Sequence, residues 1–139
     1  MKSILRSLYR AALRALARAV HRLGVNYARA SDFYSPLPRR YVEIGSGLST
    51  AVALLAAERN AREGSPCALT AVDPFPSALL RARIDLELVV AEVQDLEPAW
   101  FDTLGAGDVL FIDSTHVVKI DGDVPHLYLE VVPRLAPGV

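Results

Sequence analysis

The stretch Tyr41-Val42-Glu43-Ile44-Gly45-Ser46-Gly47-Leu48-Ser49-Thr50 decides the fold. Tyr41 to Ile44 read as a short strand, because aromatic and β-branched side chains suit a pleated backbone. The strand runs into a glycine pair, and an Ala- and Leu-rich stretch over 49–62 reads as a helix. Glycine there allows a tight turn and a close backbone approach by a ligand. The same switch from strand to helix recurs downstream. Strands are predicted over 68–72, 86–91 and 109–112, and helices over 76–83, 98–104 and 123–135. Pro98 and Pro125 suit first helical turns, and an i+4 row of Val124, Tyr128 and Val132 gives the last helix its face.

Such alternation predicts an α/β domain, a parallel sheet with helices on its faces. Val109 to Ile112 is apolar at every position, as expected of a strand buried on both sides. In open α/β sheets ligands bind beyond the carboxyl ends of the strands. The residues just past those ends are Glu43 to Gly47, Asp73, Gln94-Asp95 and Asp113 to His116. All but Ile44 are polar or glycine, and they are predicted to converge on one rim.

Upstream the chain changes character. Leu5, Leu8, Tyr9, Ala12, Leu16, Val20 and Leu23 recur at helical spacing, with Arg6, Arg10, Arg14, Arg18 and Arg22 stepping along the other face. This predicts an N-terminal amphipathic helix. Its functional readings are a mitochondrial transit peptide, membrane-surface contact or nucleic-acid contact. The plain alternative is a helix that packs its Leu face on the body. Pro36 and Pro38 forbid a helix through the segment that follows and mark a boundary, giving a basic helix and linker over 1–38 and a body over 39–139. The net charge of −1 is a balance. Residues 1–40 carry nine bases to one acid, and the rest carries six bases to fifteen acids.

The 139 residues fit one domain large enough to build its own core. A 52% hydrophobic and 22% charged composition excludes a disordered chain. The single Cys67 excludes an internal disulfide framework and a cysteine-only zinc site, and reads as a small core residue. The longest apolar run, Ala51 to Ala57, is too short to span a membrane.

Several motifs fail. Thr50 stands where the dinucleotide fingerprint needs its third glycine, and no Gly-Lys-Ser/Thr completes a P-loop. Gly47-Leu48-Ser49-Thr50-Ala51 approaches a hydrolase elbow, but Ser49 lies too far past the strand and reads as a helix N-cap. Asp73 stands where an acid accepts from a ribose diol, and equally where a turn opens before Pro74. Asp113-Ser114-Thr115-His116 is the most chemical cluster. A carboxylate and an imidazole on one rim loop could remove a proton or contribute to a metal site, although two ligands do not make one. His21 and His126 are placed on helix surfaces.

Val42 to Thr50, Ala71-Val72-Asp73-Pro74 and Asp108 to His116 together resemble the class I S-adenosylmethionine-dependent methyltransferases, and most closely a bacterial small-molecule branch with an Ile-Asp-x-x-His loop. The resemblance spans about residues 40–139. It implies a Rossmann-like parallel sheet, here of four strands in the order 3-2-1-4, and methyl transfer from S-adenosylmethionine to a small-molecule acceptor in the cytoplasm. It also implies that Glu43, Gly45, Ser46 and Gly47 shape the methionine pocket. Asp73 would bind the ribose hydroxyls, Gln94 and Asp95 would lie by the adenine, and Asp113 would stand near the sulfonium and the acceptor; on chemical grounds His116 or Asp113 could take the acceptor proton. In metal-dependent relatives an aspartate at this loop binds magnesium, so the resemblance admits a divalent metal.

The family sheet has seven strands and four are legible here, which gives the expectation of a partial copy. Strand four would then be an exposed apolar edge, and self-association through it is expected. No nucleic acid is expected as a partner of the body. The competing function is a non-catalytic nucleotide-binding or interaction module that uses the basic N-terminal helix.

Overall fold

The computed structural model describes residues 37–139, so the predicted N-terminal helix and most of its linker lie outside the described residues. Four parallel strands form one sheet: β1 (Arg40–Ile44), β2 (Ala68–Val72), β3 (Glu87–Val89) and β4 (Val109–Ile112). Their order is β3-β2-β1-β4, as the resemblance implies. β1 is central and aligns Ile44 with Val72 on one side and with Ile112 on the other. The carboxyl ends of three strands therefore finish level.

Alternation along the strands builds two cores. Val42, Ile44 and Val72 pack with Phe101, Leu104, Leu127 and Val131 on one face, joined by Leu110 and Ile112. Leu69 and Ala71 pack with Leu54, Leu80 and Leu86 on the other, with Tyr41 and Cys67 at its margin. The helix α1 (Leu48–Arg62) lies on this second face and buries Thr50, Ala51 and Leu54 at helical spacing. Each fully buried aliphatic side chain contributes roughly 1.5–3 kcal/mol of transfer free energy, so both faces need their helical cover.

The chain departs from the sequence expectations in four places up to the end of β4. The helix predicted over 76–83 is one turn, α2 (Ala78–Arg81), begun by Ser77 accepting from the Leu80 N–H. The strand predicted over 86–91 keeps only Glu87–Val89, because β3 has a single partner and Val90 lies beyond its register with β2. β4 is not buried on both faces. It is an edge among the described residues, and Phe111 is 39% exposed, its ring stacked 6.2 Å from Tyr41. The helix expected from Pro98 is a 3₁₀ turn over Pro98–Thr103, and another such turn covers Val93–Asp95.

The last helical segment, α3 (residues 123–134), opens as an α-helix over Asp123–Pro125, widens to a π-helix over His126–Val131 and tightens to a 3₁₀ turn over Val132–Arg134. Its inward row is Asp123, Leu127 and Val131, one residue earlier than predicted, while Tyr128 is 54% exposed. Asp123 sets that phase, because its carboxylate is bound by Thr115 and cannot turn outward. His126, expected on the surface, is 9% exposed with a buried Nε2 that has no partner. No helix among the described residues is long and apolar enough to cross a membrane.

Candidate functional site

The carboxyl ends of the strands enclose a cleft of about 420 Å³. Its floor is made where β1 and β4 end. Gly45 has φ +90°, its N–H donates to the Val72 carbonyl at 2.9 Å, and the Asp113 N–H donates to the Ile44 carbonyl at 2.9 Å. A Cβ on Gly45 would lie 2.1 Å from the Asp113 carbonyl oxygen. Only glycine can hold that conformation at that distance, so the ends of the two strands meet backbone to backbone.

Ser46 and Asp73 join the next pair of strand ends. The Ser46 hydroxyl donates to Asp73 Oδ2, and the Phe75 N–H donates to Asp73 Oδ1 at 2.7 Å. Both carboxylate oxygens thus have a protein donor, and the Asp-Pro turn and the rim position coexist in one residue. Gln94 lines the cleft beside Glu92, to which its amide donates. Asp95 is exposed and lies outside the lining.

Gly47 and Ser49 stand apart from this cleft. They line a second, more apolar groove of about 520 Å³ with Tyr41, Leu48, Val52 and Asp113. Gly47 is extended and a Cβ there would meet nothing, so its need is not steric. Its N–H donates to Thr50 Oγ1 at 2.8 Å, which opens α1. Ser49 is therefore not the N-cap. Its hydroxyl donates to Glu43 Oε1 instead.

Glu43 is 1% exposed, and its Oε2 has no partner. Burial pushes its carboxyl above the ordinary carboxylate range, the Ser49 and Thr50 hydroxyls pull it back, and the charges of Asp113 and Asp73 push it up again. It underlies the rim without lining either hollow. Tyr41, half-buried on the same strand, is raised by burial and by the charges of Glu43 and Asp113.

The loop after β4 carries the remaining groups. Asp113, Ser114 and Thr115 line the cleft. His116 does not; it is exposed, and its Nε2 lies 3.3 Å from Asp113 Oδ1. Its φ of +56°, and that of Asp121 at +55°, place two non-glycine residues in the left-handed region within six positions. Such backbone persists only where its surroundings hold it. The holder is Asp123, which accepts the Thr115 N–H at 2.9 Å and the Thr115 hydroxyl at 2.7 Å. Burial alone would raise the Asp123 carboxyl, but these donors overcome it and lower the pKa to about 2.

Glu92, Lys119 and Asp123 also line the cleft and were not singled out by the sequence. Asp123 had a signal: an acid directly after Gly122 at the start of a helical pattern, a capping position facing back along the chain. Lys119 had none. Among the described residues no group of three His, Cys, Asp or Glu side chains could hold a metal ion. No such group forms around Asp113 and His116, so the divalent metal admitted by the resemblance finds no support among the described residues.

The model of one protein family, described as a methyltransferase domain, matches residues 42–139. No curated protein and no solved structure matches the chain.

Proposed function

Since the chain belongs to the methyltransferase-domain family, we propose that it transfers a methyl group from S-adenosylmethionine to a small-molecule acceptor in the cleft at the strand ends. The observation that carries this reading is the joining of three strand ends around that cleft, through Gly45 against Asp113 and Ser46 on Asp73. It fits the donor chemically. A sulfonium nucleoside needs an acceptor pair for its ribose diol, a backbone that comes close and carboxylates that favour its positive charge. Asp73 offers the first, Gly45 and Ser46 the second, and Asp113 the third. Gln94 is on the rim for the base, and Asp95 follows it just outside the lining.

The donor, when bound, supplies an electrophilic methyl group. Transfer of such a group depends mainly on alignment, so fixing the loop that carries Asp113 is itself a contribution to rate. In this reading Asp113 flanks the reacting centre and orients His116, whose imidazole takes the proton of the acceptor. Glu43 and Ser49 brace the β1 end from below.

The test is calorimetric titration with S-adenosylhomocysteine. Wild-type protein should bind it, and Asp73→Ala should bind at least ~10-fold more weakly, the equivalent of about 1.4 kcal/mol for a lost charge-assisted pair. Absence of binding at high micromolar ligand, or binding indifferent to Asp73→Ala, would overturn the assignment.

A further inference from the structure

The cleft is lined by four carboxylates, Asp73, Glu92, Asp113 and Asp123, and by one cation, Lys119. The carboxylates all have protein partners: Ser46 and Phe75, Gln94, His116, and Thr115. Lys119 has no carboxylate within ion-pair distance among the described residues, although it shares a cleft with four. Lys119 is exposed at the cleft, and an ammonium there with no paired carboxylate is available to an anionic group of a ligand.

Its stem is seated as well. Lys119 Cγ and Cε lie 2.7 and 3.1 Å from where a Cβ of Gly122 would be. Gly122 has φ −95° and ψ 172°, a conformation open to any residue. Glycine at 122 is thus not required by its own φ and ψ, although a Cβ would also stand 3.2 Å from the Lys119 carbonyl oxygen. It makes room for the lysine stem, and the Gly122 N–H closes the turn onto the Lys119 carbonyl at 3.2 Å.

We propose that the Lys119 ammonium pairs with the carboxylate of the amino-acid part of the methyl donor. The loop between β4 and α3 then serves two parts of the donor, with Asp113 at the reacting centre and Lys119 at the carboxylate of the amino-acid part. This rests on the donor reading given above and adds to it a residue and a ligand group. Lys119 holds the ligand in place and has no part in proton transfer.

The experiment uses two ligands that differ by that one part. S-adenosylhomocysteine has the amino-acid group; 5′-methylthioadenosine has the same nucleoside and thioether without it. Both are titrated calorimetrically into the full chain, wild type and Lys119→Ala, Lys119→Arg and Gly122→Ala. Lys119→Ala should lose ~5- to 10-fold in affinity for S-adenosylhomocysteine and less than twofold for 5′-methylthioadenosine, as expected for a partly screened ion pair. Lys119→Arg should restore most of the loss. Gly122→Ala keeps the charge but displaces the stem, and should show the same selectivity with a smaller loss. Unchanged melting temperatures confirm that the variants are folded. Equal loss for both ligands, or no loss for either, overturns the role of Lys119 while leaving the donor reading intact. Wild-type protein that binds neither ligand overturns both.

Discussion

The end of β1 with the turn after it, and the loop after β4 with the start of α3, each bury a carboxylate beside the same rim, and they leave it in opposite states. Among the described residues Glu43 is met only by the Ser49 and Thr50 hydroxyls, its Oε2 has no partner, and burial pushes its carboxyl up. Asp123 is given a backbone N–H and a hydroxyl, and its pKa falls to about 2. Both are hidden from solvent, but Glu43 lies deeper and Asp123 has more donors. Depth and donor count act together: a buried carboxylate stays charged where the fold supplies N–H and O–H groups, and favours its proton where desolvation outweighs them. The two loops also reach positive φ differently. The first uses Gly45, which adopts it at no steric cost; the second uses His116 and Asp121 and needs the Asp123 clamp to hold them.

The comparison can be broken or sharpened by substitution. The largest effect is expected at Gly45→Ala, where positive φ and the overlap with the Asp113 carbonyl combine. Stability measured by chemical denaturation should fall by ~3 kcal/mol or more. A loss below ~1 kcal/mol would mean that the two strand ends are not in contact.

Asp123→Ala should come next, at ~2–3 kcal/mol, because it leaves the Thr115 N–H and hydroxyl without an acceptor. The pH dependence has a definite sign. The folded pKa is below the unfolded one, so the unfolded chain binds the extra proton and stability rises with pH across that interval. The contribution is therefore present above the ordinary aspartate range and lost as pH falls towards about 2. Asp123→Asn should flatten the acid limb of a stability–pH curve in that window.

Glu43→Gln should do the reverse with a smaller amplitude. The folded pKa lies above the unfolded one, so the native state holds the proton longer and stability declines as pH rises past the ordinary glutamate range. The amide removes that decline. At pH 8 the variant should be as stable as wild type or up to ~1 kcal/mol more so, whereas a loss would show Glu43 to be a satisfied ion in the folded chain. The smallest effect is expected at position 116. His116→Gly should be ~0.5–1 kcal/mol more stable than His116→Ala, since only alanine pays for the left-handed backbone.

Strand identity and order were legible because period-2 and period-3.6 patterns alternate cleanly from Tyr41 to Ile112, and glycine or aspartate ends three of the four strands. The placement of Gly45, Ser46, Asp73, Gln94 and Asp113 on one cleft follows from strand ends alone. What the sequence hid was decided by contacts between distant residues. The inward row of α3 is displaced because Thr115 captures Asp123, a bond that no helical period contains. Lys119 and Gly122 matter only because one lies on the other. Ser49 looked like a cap because caps are local, and it was drawn away by Glu43, six residues earlier on the neighbouring strand. His126 is interior for the same reason as Leu127, the wide π-turn that brings adjacent positions to one side.

The central position of β1 has a consequence for how the protein comes into being. Its pairing with β2 closes a connection of 28 residues, from Arg40 to Ala68, and its pairing with β4 one of 68, from Tyr41 to Val109. Closing the longer loop costs more chain entropy and comes with slower, non-local assembly. The first three strands can zip in sequence and bring Ser46 to Asp73, but Gly45 finds Asp113 only when β4 docks. The cleft is therefore the last part of the body to exist. A nascent chain leaving the ribosome as far as residue 108 would have a ribose-side wall and nothing opposite it. Ligand binding should then mark the completion of folding rather than any step on the way, and a donor nucleoside added during refolding should slow unfolding without hastening the folding phase.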